Sequence, residues 1–251
     1  MANSDQSRRD PPSDFKGPND GSSSLGSPQI LAKTDQWLVI QKPAGWLSIP
    51  GRTSSGASSG AFRGALNPPV IADWARSQFG AIWIVHRLDR DTSGVLLLAR
   101  TAEAHRDANG WFERHQVRKA YDFLAQGAMA MPMERIHTPV QGARSTTQVE
   151  LRESFVSQLA EGSPCFLGRA VPLTGRRHQI RIHLASKGHP LLGDPEYGGI
   201  QRLGLREGSV LEISRVALHA SKLELPTGEI FESPWPEDFH GWVNQLRGQR
   251  Q

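Results

Sequence analysis

An α+β fold built on a mixed sheet is what this 251-residue sequence predicts, and three observations predict it. Short apolar runs of strand length recur along the chain, whereas few segments carry apolar residues at helical spacing. Late in the chain, residues 216–225 and 229–232 flank Pro226-Thr227-Gly228, a hairpin signal. The end then places Phe239, Trp242, Val243 and Leu246 at i, i+3, i+4 and i+7, as on an amphipathic helix. Strands mixed with a few helices and closed by a hairpin argue for this class.

In chain order, residues 1–28 are Ser, Asp, Gly, Pro and Arg with almost nothing apolar. Such a segment buries too little surface to offset its ordering entropy, so a disordered tail is expected, with the folded domain over 29–251. Residues 37–40 (WLVI) read as a strand that Lys42-Pro43-Ala44-Gly45 breaks. Residues 51–64 (GRTSSGASSGAFRG) read as a mobile surface loop. Asn67 then caps a helix with Pro68 in its first position and Gly80 beyond its end, with Ile71, Trp74, Ala75 and Phe79 on one face.

Residues 82–98 (IWIVHRLDRDTSGVLLL) form the central stretch, where two apolar runs flank a polar insert at 86–94. Bounded runs of this kind fit buried strands, and Asp91-Thr92-Ser93-Gly94 is turn chemistry. Asp89 lies outside that turn vocabulary, between Leu88 and Arg90. It reads either as half of a structural Asp–Arg pair or as a functional carboxylate.

Thr101 caps a second helix with Ala104, Ala108, Trp111 and Phe112 on one face. Residues 119–124 alternate as a strand, which puts Lys119, Tyr121 and Phe123 on one side. Further strands are expected over 146–151 and 165–172. Residues 174–198 (TGRRHQIRIHLASKGHPLLGDPEYG) are ambiguous: Ile180, Ile182 and Leu184 alternate, yet Thr174 and Gly188 suit a helix start and stop.

Composition narrows the classes. No run approaches the ~20 apolar residues of a membrane span, and the N-terminus lacks an apolar signal core. The single cysteine, Cys165, cannot form an internal disulfide, so a small core residue in a cytoplasmic protein is expected. A net charge of +4 tilts weakly toward a polyanion partner. His178, His183 and His189 suggest a metal, but the first two would point about 140° apart on a helix and to opposite sides of a strand. Neither a Walker loop nor GxGxxG is present, and Ser93, in its turn before Gly94, does not sit in a GxSxG elbow. Two carboxylate options remain open: a glycosidase pair, or one ionised Asp held by an Arg and acting on a nucleoside.

At this point the residues resemble a family. HRLDRDTSGVLLLA is similar to the signature of RluA-type RNA pseudouridine synthases, HRLD followed by a short spacer and TSG. Residues 35–51 resemble the family's opening strand and KPxG turn, Lys119-Ala120-Tyr121 its KxY strand, 174–198 its TGRxHQIR…GDxxYG block, and Leu218-His219-Ala220 its LHA segment. The resemblance implies a mixed, largely antiparallel sheet in two subdomains around a cleft. It implies conversion of uridine to pseudouridine in rRNA or tRNA by Asp89 acting on a flipped-out base. It assigns Tyr121 to stacking on that base, Arg181 to pairing with the aspartate, Leu218 to lining the pocket and Arg87 to filling the vacated stack. His86 and Lys119, from the same motifs, join Arg87 and Leu218 at the substrate. No metal or cofactor is implied, and a cytoplasmic monomer without a membrane segment is expected.

Overall fold

In the computed structural model, the described residues are 26–50, 68–155, 164–205 and 208–248. The expected tail up to residue 25, the Gly/Ser loop at 51–64 and Asn67 lie outside them. The elements run β1 (Gln29–Lys33), β2 (Trp37–Lys42), α1 (Ile71–Phe79), β3 (Trp83–Ile84), β4 (Ser93–Ala99) and α2 (Ala102–Glu113). They continue with β5 (Arg118–Gln126), β6 (Met133–Ile136), β7 (Thr147–Phe155), β8 (Cys165–Pro172) and α3 (Gln179–Ser186). The last are β9 (Arg202–Gly204), β10 (Val210–Glu212), β11 (Leu218–Glu224), β12 (Ile230–Glu232) and α4 (Glu237–Gly248).

One sheet organises the molecule, in the order β1-β2-β4-β11-β5-β8-β7-β6, with β3 beside β4 and β12 beside β11. Among the described strands, β4 and β11 form the one parallel pair; the rest are antiparallel. This is the mixed, largely antiparallel α+β sheet that the sequence predicts. The parallel junction explains Gly94. Its φ is +119°, and a Cβ there would stand 2.2 Å from the Ala220 carbonyl oxygen. Only glycine fits.

Strand β4 is buried along its whole length because helices cover both faces. Val95, Leu97 and Ala99 pack with Ala104 and Ala108 of α2, while Leu96 and Leu98 pack with Ile71 and Ala75 of α1. Farther along the sheet, Leu124 joins Phe239, Trp242, Val243 and Leu246 of α4, whereas Phe123 and Ala125 join Ile180 and Leu184 of α3. Tyr121 touches clusters from both halves of the sheet. It marks the seam between them.

Local signals hold in several places. Thr101 accepts a hydrogen bond from the Ala104 amide at 3.1 Å, and Gly80 ends α1 at φ +76°. Cys165 is buried in the core. Residues 174–198 resolve as helix α3 plus loops, with Gly188 past its end. The first helix departs from expectation: it starts at Ile71, not Pro68, with Val70 as an unassisted cap. The backbone there is taken by a bridge to Leu47, whose amide donates to the Pro69 carbonyl at 2.9 Å and whose carbonyl accepts from Ile71 at 2.8 Å. Tertiary pairing overrides the local cap. The apolar run at 82–85 likewise yields only two strand residues.

Under the parallel junction, His219 is fully buried. Its Nδ1 stands 2.9 Å from Ser93 Oγ and its Nε2 3.1 Å from the Ser233 carbonyl, so the chain of donors and acceptors closes with a neutral ring. Burial pushes its pKa down to about 4, and burial pushes His86 down to about 3. The unfolded chain takes up these protons near pH 6.5 and the folded one does not, so stability falls as pH drops below that value. For His219 alone the loss is about 1.4 kcal/mol per pH unit until its folded pKa is reached. Urea midpoints measured from pH 7 to pH 4.5 should fall steeply, and less steeply in His219→Asn. Equal slopes in the two proteins would refute this origin.

Candidate active site

Asp89 lies in the connection between β3 and β4, and neighbours of that connection hold its backbone rather than its carboxylate. The Ser48 hydroxyl accepts from the Leu88 amide and donates to the Leu88 carbonyl, both at 3.0 Å. The Thr92 amide closes a turn on the Asp89 carbonyl at 3.1 Å. On one side the Arg90 carbonyl accepts from Lys42 Nζ at 2.8 Å and from the Gly45 amide at 2.9 Å. On the other, Arg215 donates to the Asp91 carbonyl at 3.2 Å and to Ser93 Oγ at 3.2 Å while paired with Asp238 at 2.7 Å.

Lys42 is fully buried and also donates to the Pro43 and Trp46 carbonyls, tying the KPAG turn to this loop. Burial lowers its pKa to about 7, against the opposing pull of Asp91 and Asp89. Arg90, the cation beside Asp89 in sequence, pairs with Asp91 at 3.1 Å instead. The Asp89 carboxylate, 26% exposed, accepts no hydrogen bond from the described residues. It is the uncommitted carboxylate of a loop whose backbone is tethered, Asp91 being paired with Arg90.

Facing it is the start of α3. Gln179 anchors this segment: its Oε1 accepts from Thr174 Oγ1 and the Arg176 amide, and its Nε2 donates to the Thr146 carbonyl and Thr147 Oγ1. His178 Nε2 stands 3.7 Å from Asp89 Oδ1. Arg181 is buried and bidentate to the fully buried Asp194, at 2.6 and 2.7 Å, with Glu196 at 2.9 Å. Burial opposes the charge on Arg181, but hydrogen bonds and charge from Asp194, then Glu196 and Asp89, hold its pKa above the usual value.

Tyr121 is the aromatic member. Burial, and then the negative charge of Asp89, push its hydroxyl pKa up, so it is a neutral phenol. Arg87, Arg90, Arg176 and Arg177 are exposed around Asp89 and His178. The arrangement therefore offers an ionisable carboxylate, a protonated phenol and a rim of cations.

The structure places Asp89 within electrostatic reach of both Tyr121 and Arg181. The direct Asp89–Arg181 pair expected from sequence is absent among the described residues: buried Asp194 offers that guanidinium a better bidentate partner. His86 is also placed differently from expectation. Its Nε2 accepts from the Leu97 amide at 2.9 Å and its ring stacks on Phe112 at 4.9 Å, so it braces β4. Leu218 is buried beside Phe123, and Lys119 lies 5.7 Å over the Phe112 ring with its pKa lowered by burial. His183 bonds Thr147 and Thr138, and His189 bonds Gln126, so the three histidines weighed for a metal have separate partners. Arg215 and Glu196 escape sequence reasoning because no motif position marks them; Asp194 stands in the GDxxYG motif, but the sequence assigns it no partner, since a Gly-Asp-Pro stretch reads as an ordinary turn.

A family profile described as RNA pseudouridylate synthase matches residues 36–186. A relative named ribosomal large subunit pseudouridine synthase D, from Nitrosomonas europaea, is 34% identical over 87% of this chain and 65% of its own length. One named tRNA pseudouridine synthase C, from Yersinia pestis, is 31% identical over 87% of this chain and 90% of its own. The solved structure of human RNA pseudouridylate synthase domain containing 4 superposes with a TM-score of 0.63 at 21% identity, covering 87% of this chain and 93% of that one. That last likeness bears on the fold.

Proposed function

Because the chain belongs to the RNA pseudouridylate synthase family, we propose that it isomerises uridine to pseudouridine in a structured RNA, ribosomal or transfer, with Asp89 as the reacting carboxylate. The observation that carries this is the Asp89 side chain itself, unbonded in a loop whose backbone is held by Lys42, Gly45, Ser48 and Arg215. The catalytic unit is taken as residues 29–251, since the main sheet includes both β1 and β12 and α4 packs against Leu124 of β5 within it. We keep the sequence reading of a cytoplasmic monomer that needs no cofactor.

The reaction breaks the N-glycosidic bond and joins the same uracil through carbon. An ionised Asp89 can act at the sugar or at the base. Arg181 adds positive charge through space while Asp194 fixes its position. A base taken out of its stack costs a few kcal/mol, and an aromatic face returns ~1–3 kcal/mol. Tyr121 supplies that face, and its retained proton lets it serve in proton handling. Leu218 lies under the same cluster. Arg87, exposed and without an ion pair among the described residues, is available to enter the vacated stack, and Lys119 to face the RNA.

Tyr121→Phe should keep RNA affinity within about twofold while turnover falls. Tyr121→Ala should lose about tenfold or more in affinity, the equivalent of one stacked base. Equal affinity losses in the two variants would remove the ring as the main contact.

The function itself is tested by pseudouridine-specific chemical mapping of rRNA and tRNA from cells with and without the protein. Loss of defined sites supports the reading. An unchanged map with RNA still co-purifying indicates a binding protein, and release of free uracil indicates a glycosylase.

A further inference from the structure

We propose that His178 is a positioning residue for Asp89, presenting an N–H to its carboxylate and being held in turn by Tyr197 and Glu196. This rests on the reading of Asp89 as the reacting carboxylate. Three observations point to it.

The first is backbone conformation. His178 has φ +54° and ψ +21°, the left-handed region, at the residue that precedes α3. A non-glycine residue pays of order 1 kcal/mol to stand there, and such residues concentrate at functional sites. Its carbonyl still starts the helix, accepting from the Ile182 amide at 2.9 Å, and no side-chain cap bond is made. Capping therefore does not explain the imidazole.

The second is where the ring sits. It is 11% exposed, with Nε2 3.7 Å from Asp89 Oδ1. Nδ1 lies 3.0 Å from the Tyr197 hydroxyl and 3.4 Å from Glu196 Oε1, and the two rings meet edge to face at 5.8 Å. Arg181 lies 4.8 Å over the Tyr197 ring, so the tyrosine is itself clamped.

The third is that other groups on α3 are committed. All four hydrogen-bonding positions of Gln179 are used, and Arg181 is taken by Asp194 and Glu196. His178 is the polar side chain of this helix start that still faces Asp89.

The charges around the ring fix which nitrogen carries the proton. Burial, Arg181 and Arg177 disfavour the imidazolium; Asp89 and Glu196 favour it, and the balance lowers the pKa. In the neutral ring a proton on Nδ1 would set a bare Nε2 lone pair against a carboxylate. A proton on Nε2 instead gives Asp89 a donor and leaves Nδ1 to accept from Tyr197. On protonation the new Nδ1–H turns to Glu196, and Nε2–H still faces Asp89. The donor toward Asp89 is kept in both states. Glu196 occupies an unspecified position of the GDxxYG pattern.

The test compares His178→Ala, His178→Asn and His178→Gln in the full chain, with pseudouridine formation on RNA as one readout. Gln reaches the place of Nε2, whereas Asn reaches only that of Nδ1 and is the residue better suited to the left-handed backbone. Ala and Asn should lower kcat about 10–100-fold with KM for RNA little changed, the size of a small misplacement of a reacting group, and Gln should recover most of it. Recovery by Asn but not Gln would make His178 a backbone device and overturn the proposal, as would full activity in Ala. The second readout needs no catalysis: the imidazole of His178, followed by NMR, should titrate at lower pH in Asp89→Asn than in the wild type. An unchanged titration overturns the proposal. A wild-type protein that forms no pseudouridine, yet shows the NMR shift, defeats the reading of function while leaving the contact intact.

Discussion

Asp89→Asn should yield a folded protein that binds RNA and no longer makes pseudouridine. The amide keeps the shape of the carboxylate and removes its charge, and the loop does not rely on that charge. Its tethers run from Lys42, Gly45, Ser48 and Arg215 to the backbone of residues 88, 90 and 91 and to Ser93. Denaturant stability should therefore stay within about 0.5 kcal/mol of wild type, as for substitutions that break no buried contact. Turnover should fall by about 10³-fold or more, since neither nucleophilic attack nor proton transfer is open to the neutral amide. Pseudouridine formation followed by chemical mapping, alongside a urea titration, measures both parts. Activity within tenfold of wild type would remove Asp89 from the mechanism.

Asp194→Ala has the largest expected effect on stability. The carboxylate is fully buried and holds Arg181, itself 7% exposed, through two charge-assisted hydrogen bonds. Removing one partner of a buried pair leaves the other charge uncompensated, at a cost of about 3–5 kcal/mol. For a chain of this size that is a fall in Tm of roughly 10 °C. Glu196→Gln is the internal comparison: its side chain is 54% exposed, so losing that bond should cost about 1 kcal/mol at most. Melting curves that rank Glu196→Gln below Asp194→Ala in stability would contradict this assignment of roles.

Much of the fold is legible in local pattern. Alternation identifies β5, the helical spacing of Phe239, Trp242, Val243 and Leu246 identifies α4, and Thr101 marks the start of α2. The continuous apolar run of β4 reads correctly as a strand buried on both faces. Ambiguity is greatest at 174–198, because Ile180, Ile182 and Leu184 satisfy a strand period over a length too short to exclude a helix. Helix α1 is misplaced at its start because the Leu47 bridge, a contact between distant residues, takes the backbone that a local cap would use.

The site divides along the same line. Asp89, Tyr121 and Arg181 are named from sequence because they lie in motifs that resemble those of the RluA-type family. Their partners are not. Arg181 meets Asp194 thirteen residues on, Arg215 reaches back across the sheet to Asp91 and Ser93, and His86 turns inward to Leu97.

The amino-acid sequence by itself determined many of the segments that become strands and helices, and the family to which the chain belongs. The elements are written in local periodicity, and the family in motifs a few residues long. Tertiary structure alone decided the β4–β11 junction that requires Gly94, the burial of Lys42 under the Asp89 loop and the pairing of Arg181 with Asp194 rather than Asp89. Each depends on groups far apart in the chain competing for the same buried donor, acceptor or space, and the winner is set by which of them the packed sheet brings within hydrogen-bond reach.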